Sequence, residues 1–127
     1  MGQGKQDRDL RCDGRDALIY LMRLQEFHNS LSQLEPPSHL SLALAGLWWD
    51  AKGNWKQAHE SAQQDEGPAG SWVHAYLHRK EGDSSNAGYW YNHAGKPPCR
   101  GSLEQEWLEI AESLLSEDEP NETRRIE

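Results

Sequence analysis

Cysteine is nearly missing from this chain. Cys12 and Cys99 are the only two in 127 residues, too few for a disulfide framework, so a reducing compartment is expected. Long apolar runs are missing too. The longest, Leu40 to Trp49, is interrupted by Ser41 and Gly46 and reaches about half of the roughly 20 residues that a membrane-spanning helix needs. The opening MGQGKQDRDLRCDGRD lacks the apolar core of a secretory signal, and the plain expectation is a cytoplasmic protein without a membrane segment. Basic charge is in deficit, with 13 Lys and Arg against 21 Asp and Glu, a net charge of −8. Phosphate binding requires a basic face, so nucleic acid is excluded as the main partner. No stretch alternates with period two, and neither Asp13-Gly14 nor Gly53-Asn54 joins two apolar β-branched runs. That pattern excludes a β-sheet protein.

Aromatic bulk is what the chain does have. The mean hydropathy of −0.96 is low for a globular core, but six Trp, four Tyr and one Phe supply large buried surfaces from few residues. Punctuation divides the chain into six helical segments. Asp13 caps a first helix from Gly14, with Asp16 in its first turn and Ala17, Leu21, Leu24, His28 and Leu31 along one face, widened by Leu18 and Met22. Glu35-Pro36-Pro37 stops it. A second helix begins near Ser38, carries Leu40, Leu44, Leu47 and Trp48, and ends at Lys52-Gly53. Asn54 caps a third over Trp55 to Gln64, with Gln57 in the capping-box position. Pro68 opens a fourth, which ends at Glu81-Gly82. Asp83 caps a fifth bearing Ala87, Trp90, Tyr91 and Ala94, and Ser102 with Gln105 opens a sixth with Leu103, Trp107, Ile110 and Leu114 on its stripe. Leu108, Ala111 and Leu115 flank that stripe. The fold class is all-α, with a domain over residues 14–117 between a flexible 1–13 and an acidic disordered tail, 118–127.

Two segments repeat at an offset of 29 residues. Gly53 falls on Gly82, Asn54 on Asp83, Ala58 on Ala87, Pro68 on Pro97 and Gly46 on Ala75. Small residues at such places let helix axes approach to about 8–10 Å. The unit over 38–98 resembles the tetratricopeptide repeat, a helix-turn-helix of about 34 residues. Trp72 matches its early aromatic, Ala75 and Ala87 its small residues, Gly82-Asp83 its turn, and Tyr91, Ala94 and Pro97 its late aromatic, alanine and terminator. The earlier unit offers Gly46, Trp49, Gly53-Asn54-Trp55, Ala58 and Pro68. WVHAYLHRKEGD and AGYWYNHAGKP are also similar to a family of small bacterial helical proteins without an assigned activity. The tetratricopeptide resemblance implies a short helix-hairpin array that binds a protein or peptide on the first helix of each pair. On the matching positions that surface is Trp72, Tyr76, Arg79 and Lys80, joined by Asp50, an aromatic and basic groove for an extended or acidic peptide.

Catalytic patterns are sparse. His74 and His78 share a helix face as a zinc pair does, but Ala75 stands where the HExxH glutamate would be. A third ligand would have to come from His59, His93 or Cys99. Neither cysteine has a positioned base, and no glycine-rich phosphate loop is present. Acidic charge gathers at the C-terminus, where residues 102–127 hold nine carboxylates against two arginines, either a solvated helix face or a contact for a basic partner. The expectation is a non-enzymatic interaction module without a cofactor, binding another protein or a second copy of itself. The alternative is a metal- or small-ligand-binding protein using His74 and His78.

Overall fold

The computed structural model describes residues 22–118, and they are all-helical, with no strand among them. A helix α1 is described over 22–30, followed by α2 Leu42–Ala51, α3 Trp55–Gln64, α4 Pro68–Lys80, α5 Ser84–Ala94 and α6 Leu103–Asp118. No helix among the described residues is long and apolar enough to cross a membrane. The predicted Asp13 cap, the apolar positions Ala17, Leu18 and Leu21, the segment 1–13 and the tail beyond 118 lie outside the described residues. Asp118 itself closes α6.

Local chemistry sets most boundaries where they were predicted. Asn54 accepts from the Gln57 amide at 3.1 Å to cap α3, and Asp83 accepts from the Asn86 amide at 3.2 Å to cap α5. Ser102 and Gln105 form a reciprocal capping box at α6: the Gln105 amide donates to Ser102 Oγ at 3.0 Å, and the Ser102 amide to Gln105 Oε1 at 3.2 Å. Gly53 and Gly82 take positive φ values of 82° and 87°, the left-handed conformation that a side chain disfavours. The two turns share their hydrogen bonds at the same offset. Gly53 donates to the Asp50 carbonyl and Asn54 to that of Trp49, while Gly82 donates to Arg79 and Asp83 to His78.

Two boundaries differ from the sequence reading. α1 ends at residue 30, short of the Pro36-Pro37 stop, because the Leu31, Ser32 and Gln33 amides donate to carbonyls three residues back, the Ser30 hydroxyl takes the Phe27 carbonyl and the Ser32 hydroxyl shares that of Asn29. α2 starts at Leu42 and not at Ser38. A turn closes from the Leu40 amide to the Pro37 carbonyl, and Ser41 is the cap, accepting from the Leu44 amide at 3.2 Å. The α1 stripe also shifts: Met22 is 55% exposed and His28 is exposed, whereas Phe27 is buried and tilts against Trp107 with ring centroids 5.8 Å apart.

Consecutive helices α2 to α5 fold back on one another as antiparallel neighbours. Ser61 on α3 donates to the Leu42 carbonyl at the start of α2, and His93 near the end of α5 meets Ser71 near the start of α4 at 2.8 Å. Gly46 sits where α2 crosses α3 and α4. A methyl group there would lie 3.3 Å from the Ala58 carbonyl oxygen and 3.2 Å from Val73 Cγ1. Ala58, Ala62, Ala75 and Ala87 are all buried. α4 is the central element, with every residue from Gly70 to His78 buried. Its own Val73 and Leu77, and Leu44, Leu47, Trp48 and Ile110 around it, are fully enclosed, each contributing about 1.5–3 kcal/mol of transfer free energy. A helix buried on all sides needs partners for its polar side chains. The partners of Ser71, Tyr76, His74, His78, Arg79 and Lys80 therefore define what this molecule can do.

Candidate functional site

On the side facing α2 and α6, α4 meets two buried carboxylates. Asp50, 5% exposed at the end of α2, accepts from Tyr76 Oη at 2.9 Å and from Lys80 Nζ at 2.8 Å. Glu106, 1% exposed on α6, accepts from Arg79 Nη1 at 2.8 Å and from Tyr91 Oη of α5 at 2.6 Å. Arg79 also donates to the Gly101 carbonyl. Each carboxylate thus receives one phenol and one cation, the combination that lets a charge remain buried. Burial pushes the ionisation of both phenols up, and the adjacent carboxylates push it further, so Tyr76 and Tyr91 stay hydrogen-bond donors. For Arg79, burial opposes the charge, but the hydrogen bond and charge of Glu106 outweigh it and its pKa rises. No buried side-chain nitrogen or oxygen among the described residues lacks a partner.

These contacts change the character of the groove. A cleft of about 700 Å³ opens between α1, the C-terminal ends of α2 and α4, and α6. Leu24 and Leu31, with Gln25 and His28 beside them, form one wall, Leu103, Trp107 and Leu108 the other, and Asp50, Tyr76 and Lys80 line the cleft between them. Trp107 Nε1 donates to the Leu47 carbonyl at 3.1 Å, which fixes that wall. Of the five residues expected to bind a partner, Asp50, Tyr76 and Lys80 line this cleft, and Trp72 and Arg79 do not. Trp72 is buried, with Lys96 Nζ 4.1 Å from its ring centroid. Arg79 and Lys80 are both engaged by carboxylates, so the groove is not basic. Its α6 edge carries Glu104 and Leu108, both exposed, and exposed Glu112 follows one turn farther along the helix; neither glutamate forms an ion pair with a described residue.

The opposite side of α4 faces α3 and α5 and holds a histidine cluster. His59, His74 and His78 each bring a ring nitrogen within 4.8 Å of the others. His59 Nε2 and His74 Nε2 are 2.9 Å apart, and His78 Nδ1 is 2.9 Å from Glu81 Oε2. Two indoles bracket the cluster. Trp55 stacks on His59 with centroids 4.8 Å apart, and Trp90 stacks on His74 at 4.1 Å. Burial, then the neighbouring His59 and His78, lowers the His74 pKa to about 4. Burial and His78 lower that of His59, against a smaller opposing pull from Glu81 and Glu60. Both pKa values fall below the ordinary 6.5, so both rings are neutral at pH 7, and in the 2.9 Å contact one Nε2 donates its proton to the lone pair of the other. A neighbouring group of His78, Glu81 and Asp83 is less suited to a ligand, because Asp83 is occupied as the α5 cap.

Of the candidate third ligands, only His59 joins the pair. His93 bonds to Ser71, and Cys99 sits in the 96–102 connection, where its sulfur accepts from the Gly101 amide. The signal for His59 lies in the turns. Reflecting α4 through a turn centred between Glu66 and Gly67 sets His74 opposite His59, and reflecting α5 through Gly82 sets Trp90 opposite His74. Glu106 left no such trace, since a glutamate on a helix rich in acid reads as solvated.

Compared with protein-family models, with curated proteins and with solved structures, the chain matches none.

Proposed function

We propose that this chain is a non-catalytic protein–protein interaction module that takes an amphipathic segment of another protein into the cleft between α1, α4 and α6. The single observation that carries this reading is the cleft itself, about 700 Å³ in volume and lined mainly by Leu24, Leu31, Leu103, Trp107 and Leu108. Recognition grooves for helical segments are built this way, from apolar walls with few polar groups. Charge selects the partner's sign. Because Lys80 is bound to Asp50 while Glu104 lines the cleft and exposed Glu112 stands two turns beyond it on α6, the favoured segment carries apolar side chains flanked by Lys or Arg. The resemblance to tetratricopeptide hairpins, carried by the matched turns at Gly53 and Gly82 and by the small residues at 46, 58, 75 and 87, supports an interaction role over a catalytic one.

Affinity purification followed by charge reversal tests this reading. Glu104→Lys with Glu112→Lys alters only exposed side chains, and it should weaken the captured complex at least tenfold and remove its dependence on salt. Lys56→Glu on exposed α3 surface should leave binding unchanged. A complex indifferent to the double reversal, or one seen only as self-association by light scattering, overturns the assignment. Arg79→Glu and Lys80→Glu are poor probes here, because both would strand a buried carboxylate and disturb the fold.

A further inference from the structure

We propose that His59, His74 and His78 form a binding site for one divalent transition-metal ion of the zinc class. Three imidazoles from two antiparallel helices converge with their ring nitrogens within 4.8 Å. Zinc binds imidazole nitrogen at about 2.0–2.1 Å, and tetrahedral geometry then spaces the ligand atoms about 3.3 Å apart. The 2.9 Å separation of His59 Nε2 and His74 Nε2 lies within a few tenths of an ångström of that spacing.

An independent feature is the contact that occupies one nitrogen of the third ring. Glu81 Oε2 lies 2.9 Å from His78 Nδ1, leaving Nε2 as the free nitrogen of that ring. A carboxylate on the rear nitrogen fixes both the tautomer and the aim of a metal-binding histidine. The stacked indoles of Trp55 and Trp90 restrict how far His59 and His74 can turn, so binding an ion draws the His78 ring toward that pair from within 4.8 Å. Three protein ligands leave one coordination position for solvent or a small anion, as in sites with exchangeable fourth ligands. Imidazole donors without thiolate suit zinc, cobalt, nickel or copper and not calcium or magnesium.

The test uses the full chain, stripped with a chelator, dialysed and titrated with Co²⁺ and then Zn²⁺. One equivalent of Co²⁺ should produce the visible absorption of four-coordinate cobalt with three nitrogen ligands, and Zn²⁺ should displace it. His59→Gln, at a half-buried position, should abolish the band with helical circular dichroism retained. Glu81→Gln, which leaves all three ligands in place, should weaken affinity about 10–100-fold. His93→Gln serves as the control and should bind like the parent. Absence of a stoichiometric Co²⁺ band in folded parent protein, or an undiminished band in His59→Gln, overturns the site.

Discussion

Replacing Glu106 by leucine isolates the contribution of the carboxylate that joins α4, α5 and α6. Glu106 is 1% exposed and accepts from Arg79 at 2.8 Å and Tyr91 at 2.6 Å. Leucine fills much of the same volume, so the loss is dominated by stranded partners. The Tyr91 hydroxyl is left buried without an acceptor, at a cost of about 1–3 kcal/mol. Removing one member of a buried ion pair costs about 3–5 kcal/mol. The Arg79 side chain, however, is 24% exposed and retains the Gly101 carbonyl, which moves its share well below that range. A combined loss of about 3 kcal/mol follows, a large fraction of the 5–15 kcal/mol typical of a domain. Urea unfolding followed by tryptophan fluorescence measures it directly. Glu106→Gln should lose less, about 1–2 kcal/mol, because its carbonyl can still accept from Arg79 while its amide donates to a reoriented Tyr91 hydroxyl. Glu106→Leu within about 0.5 kcal/mol of the parent, at unchanged m-value, would refute the reasoning.

Two further perturbations test other parts of the fold. Ala87→Leu inserts three carbons at a buried position of α5 against the central helix and should destabilise by about 1–3 kcal/mol through overpacking; an unchanged melting temperature would contradict that. In metal-free protein, stability should fall as pH drops from 7.5 to 5. His74 has its folded pKa lowered to about 4 from an ordinary 6.5, facing His59 on α3 and His78 on α4 with Glu60 and Glu81 nearby. A group with a depressed basic pKa binds fewer protons when folded, so its contribution is complete above pH 6.5 and is lost as pH falls toward 4, by about 2 kcal/mol at pH 5. His74→Gln should flatten that slope; an equal slope in the variant would assign the titration elsewhere.

Much of the helical architecture was legible because it is written in local chemistry. Asn54, Asp83 and Ser102 cap through their own side chains, and Gly53 and Gly82 close turns that only positive φ permits. Gly46 and Ala58 were readable as a crossing because small residues between aromatics have few other uses. Tertiary electrostatics were not legible. Tyr76, Arg79, Lys80 and Asp50 read as a displayed binding surface, yet partners 26 to 30 residues away in sequence engage them as clamps, even where Asp50, Tyr76 and Lys80 line the cleft. The cleft that remains owes its apolar walls to α1 and α6, whose meeting at Phe27 and Trp107 no local pattern announced. His59 became a neighbour of His74 and His78 only through the length of the α3–α4 turn.

The docking cleft is tested most directly by placing a photo-crosslinking amino acid at Leu108, on the acidic rim, and another at exposed Ser85 on α5. Irradiation of the assembled complex should join position 108 to a Lys- or Arg-flanked apolar segment of the partner and leave position 85 unlinked. Adducts arising from position 85 alone, or from neither position in a complex that remains intact, would contradict the account.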